Sequence, residues 1–455
     1  MSAIVSVLSH NFGIGYKGKR CKPLVARARF HKLTTGTGPQ RNLLVMGYNT
    51  YRSLQTFPLA GRHCVVITRR HLPEVLARAH ADTTPLASFV ELEDFLKRFR
   101  HAYNEVWYVG GANIYEQAVR RGLVHTVHVT EVCSDAAADR FFDKTLLKNA
   151  TVVYSKLGSH AMHKTYELDN NQEEKAYLAL LQRLLQQPAR STRSGLTRAL
   201  FGETLHFDLS QNGFPMLTTK RMPTKSQTIE KELLFFLRGQ TDVSLLQAQG
   251  VRIWDKNTTE EFLQGKDLLK NDMGPLYGFN WRHFGAPYGT CKDDYKGRGH
   301  DQLRRLVHSL RTEPTSRRHI MTSFDPSTAD AACLYPCHSI VVQCFVREGF
   351  LDLAQYQRSA DAFLGLPFNI ASSALLLVLL AQQAGLRAGK LTLHLGDVHL
   401  YATHEAVARV QVQRQPLHFP QYRVDPQTEL EGYELKHFHI QRYRCHGRLV
   451  APMAV

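Results

Sequence analysis

Short apolar runs alternate with segments of helical periodicity through the first third of the chain. Each run is long enough for one buried strand, and the segments between them carry apolar residues at helical spacing. Ser88 and Glu91 have the spacing of a helix capping box, whereas residues 11–15 are predicted to form a turn. Alternating strands and helices favour an α/β sheet. Strands are predicted at residues 3–8, 42–46, 63–68, 105–109 and 126–131, and helices at 89–98 and 114–121.

The pattern changes near residue 170, and this change predicts a second domain. A helix is expected over residues 177–185, where leucines recur at helical spacing. A chain of 455 residues also exceeds what one hydrophobic core usually organises. No Pro-, Gly- or Ser-rich segment separates the two parts, so a rigid junction is expected. We therefore predict domains at residues 1–169 and 170–455.

The net charge of +17 raises the question of a nucleic-acid partner, because clustered Lys and Arg bind phosphate through counterion release. The sequence contains no zinc-finger spacing, aromatic RNA-binding motif or long basic tract. An enzyme of anionic substrates has another use for this charge, since it steers such substrates to the site. RNA binding is therefore kept only as a secondary alternative.

The eight cysteines lack the spacing of a metal site or of a disulfide framework. This usage is typical of a reducing compartment, so we expect neither a disulfide nor a bound metal. The N-terminus lacks the features of a secretory signal. The most apolar stretch, residues 371–381, is too short to span a bilayer and is predicted to be a buried helix. The protein is expected in the cytoplasm, with the nucleus as an alternative, and without a membrane partner.

Cys337 lies in the segment LYPCHS (residues 334–339), upstream of YQRSAD (356–361). A thiolate is a strong nucleophile, and a nearby guanidinium such as that of Arg358 stabilises it. Taken alone, one cysteine is more often a small buried hydrophobic residue. The neighbouring motifs GLPFN (365–369) and GDVHLY (396–401) favour the nucleophile.

In order and spacing, these four segments resemble thymidylate synthase. Four further segments do so as well: TTKR (218–221), IWD (253–255), GPLYG (274–278) and APMAV (451–455). The resemblance begins near residue 170 and implies an α+β domain that forms a homodimer. It implies that dUMP and 5,10-methylenetetrahydrofolate give dTMP and dihydrofolate. The folate would supply the hydride, so this half would need no metal and no nicotinamide.

The resemblance also assigns roles to the matching side chains. Cys337 is implied to be the nucleophile and Glu232 to relay protons, whereas a helical glutamate is ordinarily a solvated surface residue. The other residues implied to be catalytic are Arg358, Asp361, Asn369, Tyr277 and His338. The residues implied to hold dUMP are Arg193, Arg317, Arg318, Arg358, Ser359, Asn369, His399 and Tyr401. The folate is expected against Ile253, Trp254, Leu334, Asp361, Phe368 and Val455.

Arg317 and Arg318 form the pair that the synthase family donates across its dimer interface. Arginine forks match the oxygens of a phosphate dianion. Outside this context, a solvated surface pair would be the simpler interpretation. The C-terminal segment is implied to close over the stacked nucleotide and folate.

The first part of the chain resembles dihydrofolate reductase in four segments: GIG (13–15), MGYNT (46–50), PLAGR (58–62) and VGGANIYEQ (109–117). The resemblance extends to about residue 168 and implies an α/β reductase-like domain, with NADPH as its cofactor if this half is active. The ligand contacts that it implies are Thr50, Arg62, Arg69, Gly110 and Gly111.

The acid that the reductase family uses to protonate dihydrofolate is missing here. No Asp or Glu precedes Glu74, and Ala26 or Arg27 occupies the place of the acid. The tryptophan of the family's Leu-Pro-Trp segment is absent. Tyr48 replaces the basic contact of the cofactor's 2′-phosphate, with Arg69 as the alternative residue for that contact. Thr130, the usual partner of the acid, is retained. Cations in this region disfavour a protonated pterin.

Two interpretations of the first half stay open. It is either a silent domain kept for packing, dimer stability or folate capture, or a weak reductase that uses water or a distant acid. For the whole chain, a scaffold or RNA-binding protein on an inactive synthase fold is a further alternative. The joint retention of Cys337, Glu232 and Arg358 argues against it.

Overall fold

The computed structural model describes residues 1–20, 24–36, 40–54, 57–77, 81–148, 150–158, 160–168 and 171–453. The chain divides into two compact units, Met1–Asn170 and Asn171–Val455. This division lies one residue from the boundary that the sequence pattern predicts. The two units are described separately.

The first unit contains an eight-stranded sheet with helices between its strands. Its strands are β1 (Ser2–Leu8), β2 (Gly13–Tyr16), β3 (Lys19–Arg20), β4 (Asn42–Gly47), β5 (Arg62–Ile67), β6 (Thr83–Leu86), β7 (Val106–Tyr108), β8 (Thr126–Val132), β9 (Arg140–Phe141), β10 (Thr151–Leu157) and β11 (Ala161–Glu167). Its α-helices are α1 (Leu24–Thr34), α2 (Tyr48–Arg52), α3 (Leu72–Ala77), α4 (Phe89–Phe99) and α5 (Ala112–Arg120).

The order of the large sheet is β10-β11-β8-β1-β7-β4-β5-β6. The strands from β8 to β6 in this order pair in parallel, and β10 and β11 extend the sheet antiparallel. Parallel neighbours need crossover helices, which cover both faces. Strand β4 reads NLLVMG, with five of its six residues buried, because both of its faces are covered. The α/β prediction and its five strands are confirmed.

Both helices predicted for this unit are also confirmed, as α4 and α5. Ser88 caps α4, since its side chain accepts a hydrogen bond from the Glu91 N–H at 3.2 Å. The turn predicted at residues 11–15 is only partly right. Phe12 has a φ of +60°, but Gly13–Tyr16 form β2, which pairs with β3 and with the distant β9. A partner that far along the chain leaves no local sequence signal.

The second unit is an α+β domain built on a six-stranded sheet. Its strands are β12 (Arg190–Thr192), β13 (Gly195–Asp208), β14 (Ile320–Thr322), β15 (Val341–Arg347), β16 (Phe350–Asp361), β17 (Arg387–Tyr401), β18 (Gln421–Val424) and β19 (Phe438–Gln441). Its α-helices are α6 (Gln172–Gln186), α7 (Leu209–Asn212), α8 (Thr228–Leu237), α9 (Ser244–Ala248), α10 (Gly278–His283), α11 (Gln302–Thr312), α12 (Gly365–Gln383) and α13 (Glu405–Val412).

The order of this sheet is β12-β13-β17-β16-β15-β14, and β18 pairs separately with β19. Only the central strands β16 and β17 pair in parallel within the described sheet. Helix α12 lies in the core beside them, with Ile370, Ala374 and Leu377 fully buried. Among the described helices, only α12 is long and apolar enough to cross a membrane. However, 67% of its apolar stretch is buried inside the fold. The prediction of a buried helix is therefore confirmed.

The first turn of α6 anchors the segment that carries TTKR. Asn171 caps the helix by accepting the Glu174 N–H at 3.0 Å. The Glu174 carboxylate is fully buried and accepts the N–H groups of Thr218 and Thr219, at 2.8 and 2.7 Å. It also accepts both threonine hydroxyls. Burial raises the pKa of Glu174, although these hydrogen bonds oppose the shift.

Candidate active site

Cys337 lies in the loop between β14 and β15, and its backbone is fixed from two sides. The Arg358 N–H on β16 donates to the Cys337 carbonyl at 2.8 Å. The Cys337 N–H donates to the Tyr277 hydroxyl at 3.2 Å. The side chain is partly exposed. A fixed backbone with an accessible sulfur is the arrangement that a nucleophile needs.

The guanidinium of Arg358 lies over the same loop. Its Nε donates to the Pro336 carbonyl at 3.0 Å and its Nη2 to the Tyr335 carbonyl at 3.4 Å. The Arg358 cation also lies 5.2 Å from the centroid of the Tyr335 ring. These contacts hold a positive charge beside the two residues that precede Cys337.

Glu232 on α8 is buried, with 8% of its surface exposed. Its carboxylate accepts one hydrogen bond, from Trp254 Nε1 at 2.8 Å. Burial raises the pKa of Glu232 to about 7, and the bond from Trp254 opposes this only in part. A carboxyl group that titrates near neutrality can both accept and return a proton.

Tyr277 and His338 form a stacked pair beside Cys337. Their ring centroids are 4.2 Å apart and the ring planes differ by 16°. Burial lowers the pKa of His338 to about 4, so the ring is neutral at pH 7. Burial raises the pKa of Tyr277 well above its ordinary value, and the neighbouring Cys337 adds to this shift. Both side chains therefore act as neutral polar groups at physiological pH.

Asn369 at the start of α12 is oriented by a neighbour that the sequence motifs did not single out. Gln357 Nε2 donates to Asn369 Oδ1 at 2.9 Å and to the Ser359 carbonyl at 3.1 Å. With Oδ1 engaged in this way, the Asn369 NH₂ group remains to donate to a carbonyl oxygen. No local sequence pattern predicts the contact between Gln357 and Asn369, because β16 and α12 come together only in the folded domain.

Strand β17 brings its predicted residues next to those of β16. Asp361 is paired in register with His399, and Ser359 with Asp397. His399 Nδ1 lies 3.1 Å from Asp397 Oδ1. The rings of His399 and Tyr401 meet edge to face, with centroids 5.2 Å apart. The parallel pairing therefore brings the YQRSAD and GDVHLY motifs together.

Asp361 is held by backbone and by a histidine that sequence reasoning missed. Its Oδ1 accepts the N–H groups of Phe363 and Leu364 at 2.9 and 3.1 Å. Nδ1 of the buried His404 lies 3.6 Å from the same oxygen. Burial by itself would raise the pKa of Asp361, but His404 and the two N–H groups lower it overall. Asp361 is therefore a carboxylate with a fixed orientation.

The remaining predicted contacts fall into two groups. The apolar residues that pack on or within the large core of this unit are Ile253, Trp254, Leu334 and Phe368. Arg193, in the turn between β12 and β13, is exposed, as are Arg317 and Arg318 before β14. Within the described residues, no hydrogen bond joins these three guanidinium groups to the Cys337 loop. Val455 lies outside the described residues.

In the first unit, the two glycines of VGGANIYEQ leave room for neighbouring hydroxyl groups. A Cβ atom on Gly110, which has a φ of +115°, would lie 3.2 Å from the Tyr115 hydroxyl and 3.4 Å from Thr50 Oγ1. Arg62 is buried, and its guanidinium donates to Ala60 and Thr34. Arg69 is exposed.

The place of the missing acid holds no carboxylate among the described residues of α1. Ala26 and Arg27 lie on this helix, whose first turn has no acidic residue. Thr130 Oγ1 instead lies 3.2 Å from His163 Nδ1. Tyr48 donates to Glu74 and stacks on His71, with ring centroids 4.0 Å apart. A carboxylate at this position repels a phosphate.

Comparison with known proteins assigns the two parts of the chain to two families. The dihydrofolate reductase family profile matches residues 1–175 and the thymidylate synthase profile matches residues 175–455. A bifunctional dihydrofolate reductase-thymidylate synthase of Paramecium tetraurelia is 32% identical, covering 100% of this chain and 98% of that protein. The chain belongs to the bifunctional dihydrofolate reductase–thymidylate synthase family.

Other relatives agree with this assignment. The Leishmania major bifunctional dihydrofolate reductase-thymidylate synthase is 34% identical, over 92% of this chain and 87% of its own length. Thymidylate synthase 1/2 of Encephalitozoon cuniculi is 42% identical, over 63% of this chain and 99% of its own length. The second unit of this bifunctional-family protein is thus a thymidylate synthase, and the first has the dihydrofolate reductase fold.

Proposed function

We propose that the second unit makes dTMP through a covalent bond between Cys337 and carbon 6 of dUMP, with 5,10-methylenetetrahydrofolate as donor. The observation that carries this proposal is the accessible Cys337 sulfur in a loop that Arg358 fixes through its backbone and its guanidinium. Incubation with 5-fluoro-dUMP and the folate, followed by peptide mass mapping, tests it. The adduct should lie on the peptide that contains Cys337.

The reaction balances through these groups. The thiolate adds to carbon 6, and the enolate carbon 5 attacks the folate methylene carbon and releases the folate nitrogen. Loss of the proton from carbon 5 and elimination of the folate leave an exocyclic methylene group. Hydride from tetrahydrofolate then reduces this group as the Cys337 thiolate leaves. The products are dTMP and dihydrofolate.

Glu232 is assigned the relay of protons around the uracil ring. Its carboxyl group is poised for this because burial raises its pKa to about 7. The free NH₂ group of Asn369 is assigned to the uracil carbonyl oxygen, and the Arg193, Arg358 and Ser359 side chains to the phosphate. Asp361 would accept a hydrogen bond from the folate pterin.

We further propose that the second unit forms a homodimer through the outer face of its sheet. Ile320, Phe345 and Tyr356 lie on this face and are 54%, 60% and 39% exposed. Apolar side chains grouped on one face mark an interaction surface. Arg317 and Arg318 lie three and two residues before Ile320, so a second copy packed here would receive both arginines. The occupant of this face is therefore a second copy of the chain.

Subunit mixing tests this assembly. Arg317→Ala and Cys337→Ser variants, each inactive alone, should regain part of the dTMP activity when they exchange subunits. The reason is that one site of the heterodimer contains both an intact Arg317 and an intact Cys337. Activity is followed after mixing, with exchange measured independently by a mass tag. Complete exchange without recovery would show that Arg317 serves its own subunit.

For the first unit we propose a silent reductase domain. The Thr130 hydroxyl has a histidine partner instead of a carboxylate, and Tyr48, which replaces the basic cofactor contact, donates to Glu74. Both observations oppose the chemistry of dihydrofolate reduction with NADPH. Retention for packing, dimer stability or folate capture explains why the fold is kept.

Dihydrofolate-dependent oxidation of NADPH should be extremely slow in the intact chain. Protonation assistance contributes ~10²–10⁴-fold to such reactions, and here the basic cofactor contact is lost as well. The assay uses the Cys337→Ser variant, in which synthase turnover is blocked. Restoring an acid by Ala26→Asp should raise the rate only partly. A rate on the order of 10 per second without that change would refute the silent-domain proposal.

A further inference from the structure

His404 lies between Asp361 and the C-terminal segment. It ends a short 3₁₀ turn, Ala402–His404, directly after β17 and is fully buried. Nε2 of its ring is 2.7 Å from the carbonyl oxygen of Pro452, and Nδ1 is 3.6 Å from Asp361 Oδ1. The ring therefore faces an acceptor on each side.

Counting protons shows which form of the ring fits both neighbours. A carbonyl oxygen only accepts, so the contact with Pro452 needs a proton on Nε2. In the neutral ring, this tautomer turns the Nδ1 lone pair toward the Asp361 carboxylate, which is repulsive. The other neutral tautomer turns a lone pair toward the Pro452 carbonyl. The imidazolium donates to the Pro452 carbonyl and forms an ion pair with Asp361, since 3.6 Å between Nδ1 and Oδ1 is an ion-pair distance and too long for a hydrogen bond.

The remaining groups around the ring agree with this count. The charged and titratable groups that face it are Asp361 on β16, Lys220 from the TTKR segment and Tyr401 on β17. Burial and Lys220 lower the pKa of His404, but Asp361 and the Pro452 carbonyl raise it overall. The pKa of Asp361 is lowered in turn.

We propose that the His404 imidazolium is a positioning residue that fastens the C-terminal segment at Pro452 to Asp361, so that one proton couples this segment to the folate site. The coupling to folate rests on the proposed function, whereas the contact itself does not. Asp361 is fixed by the Phe363 and Leu364 N–H groups. Loss of the proton ends the ion pair and replaces the charge-assisted hydrogen bond to Pro452 by a weaker neutral one, so it loosens the more exposed partner, the segment at Pro452.

The direction of the pH dependence follows from the raised pKa of His404. The charge-assisted part of the contact is fully present below the ordinary histidine value of 6.5 and is lost as the pH rises through the raised value. The C-terminal segment should thus be held most tightly at acidic pH and less tightly as the pH rises through that value. Folate binding should weaken over the same range, while dUMP binding should not.

Hydrogen exchange of the ligand-free full-length chain tests the contact directly. Protection of the amides of residues 448–451 and 453, corrected for the chemical rise of exchange with pH, is compared at about pH 6 and about pH 9. In the wild type, this amide protection should fall on the order of tenfold from the lower to the higher pH, as expected for one charge-assisted hydrogen bond. In His404→Gln, which carries no titratable proton, it should be low at both values.

His308→Gln is the matched control, because His308 is exposed on α11 and its substitution should not affect this segment. Protection that does not change with pH in the wild type, or that survives in His404→Gln, would overturn the proposal. The wild-type comparison alone decides the matter if the variant does not fold. Neither measurement needs dTMP synthesis, so failure of the proposed function would be seen separately. In active enzyme, the folate KM should rise with pH while the dUMP Kd stays constant, and His404→Gln should remove this difference.

Discussion

Cys337→Ser should lower dTMP formation by at least ~10³-fold while dUMP binding remains largely intact. The serine hydroxyl is a far weaker nucleophile than a thiolate, and no other described group at the site can form the bond to carbon 6. The residues proposed to bind phosphate and base are untouched by the change. Product is measured by chromatography and dUMP binding by calorimetry.

Cys133→Ser provides the control, because Cys133 is an exposed thiol in the first unit. That variant should keep wild-type synthase activity and should still form the 5-fluoro-dUMP adduct. Cys337→Ser should lose the adduct entirely. More than a few per cent of activity in Cys337→Ser would remove Cys337 from the role of nucleophile.

Glu232→Gln should lower kcat by ~10²–10⁴-fold, because the amide cannot relay a proton. Wild-type activity should fall as the pH drops through about 7, where the Glu232 carboxylate becomes protonated. This acid limb should vanish in the variant. The substitution should not destabilise the fold near pH 8, since a pKa raised above 4.5 means that burying the carboxylate costs free energy at high pH.

Glu230→Gln is the matched control on the same helix. Glu230 is also buried, and burial raises its pKa, but its carboxylate accepts a hydrogen bond from Tyr422 instead of Trp254. Its loss should leave kcat and the acid limb in place. Equal losses in the two variants would indicate that a buried charge on α8, and not the position of Glu232, determines the rate.

The neighbours of Cys337 are predictable from the sequence because strong local motifs carry them. PCH and YQRS are each recognisable as a contiguous motif. The hydrogen bonds between β16 and the Cys337 loop bring Arg358 against Pro336. Burial of Glu232 could be anticipated from the apolar run that follows it. In the first unit, the alternation of apolar strands and helices indicates the parallel sheet directly.

Contacts between distant segments could not be predicted in this way. The His404 ring touches Asp361 and Pro452, which are separated from it by 43 and 48 residues. Neither partner has a sequence signature that points to the other. The same holds for Thr130 and His163, which meet only because β8 and β11 pair antiparallel. The chemical role of a side chain can be predicted from a local motif. The protonation state of a histidine between two acceptors, such as His404, depends on contacts that only the fold creates.

The buried carboxylate of Glu174 determines where the chain can be cut if the synthase unit is to be expressed alone. The synthase profile begins at residue 175, but Glu174 and its helix cap Asn171 lie just before it. A synthase expressed alone from residue 175 would leave three donors, the N–H groups of Thr218 and Thr219 and the Thr219 hydroxyl, buried without their acceptor. The Thr218 hydroxyl would keep only the Leu417 carbonyl, at 3.4 Å. Unsatisfied buried donors are costly. Residues 171–174 are therefore part of the synthase itself, and a cut between the two units has to fall on the amino-terminal side of Asn171.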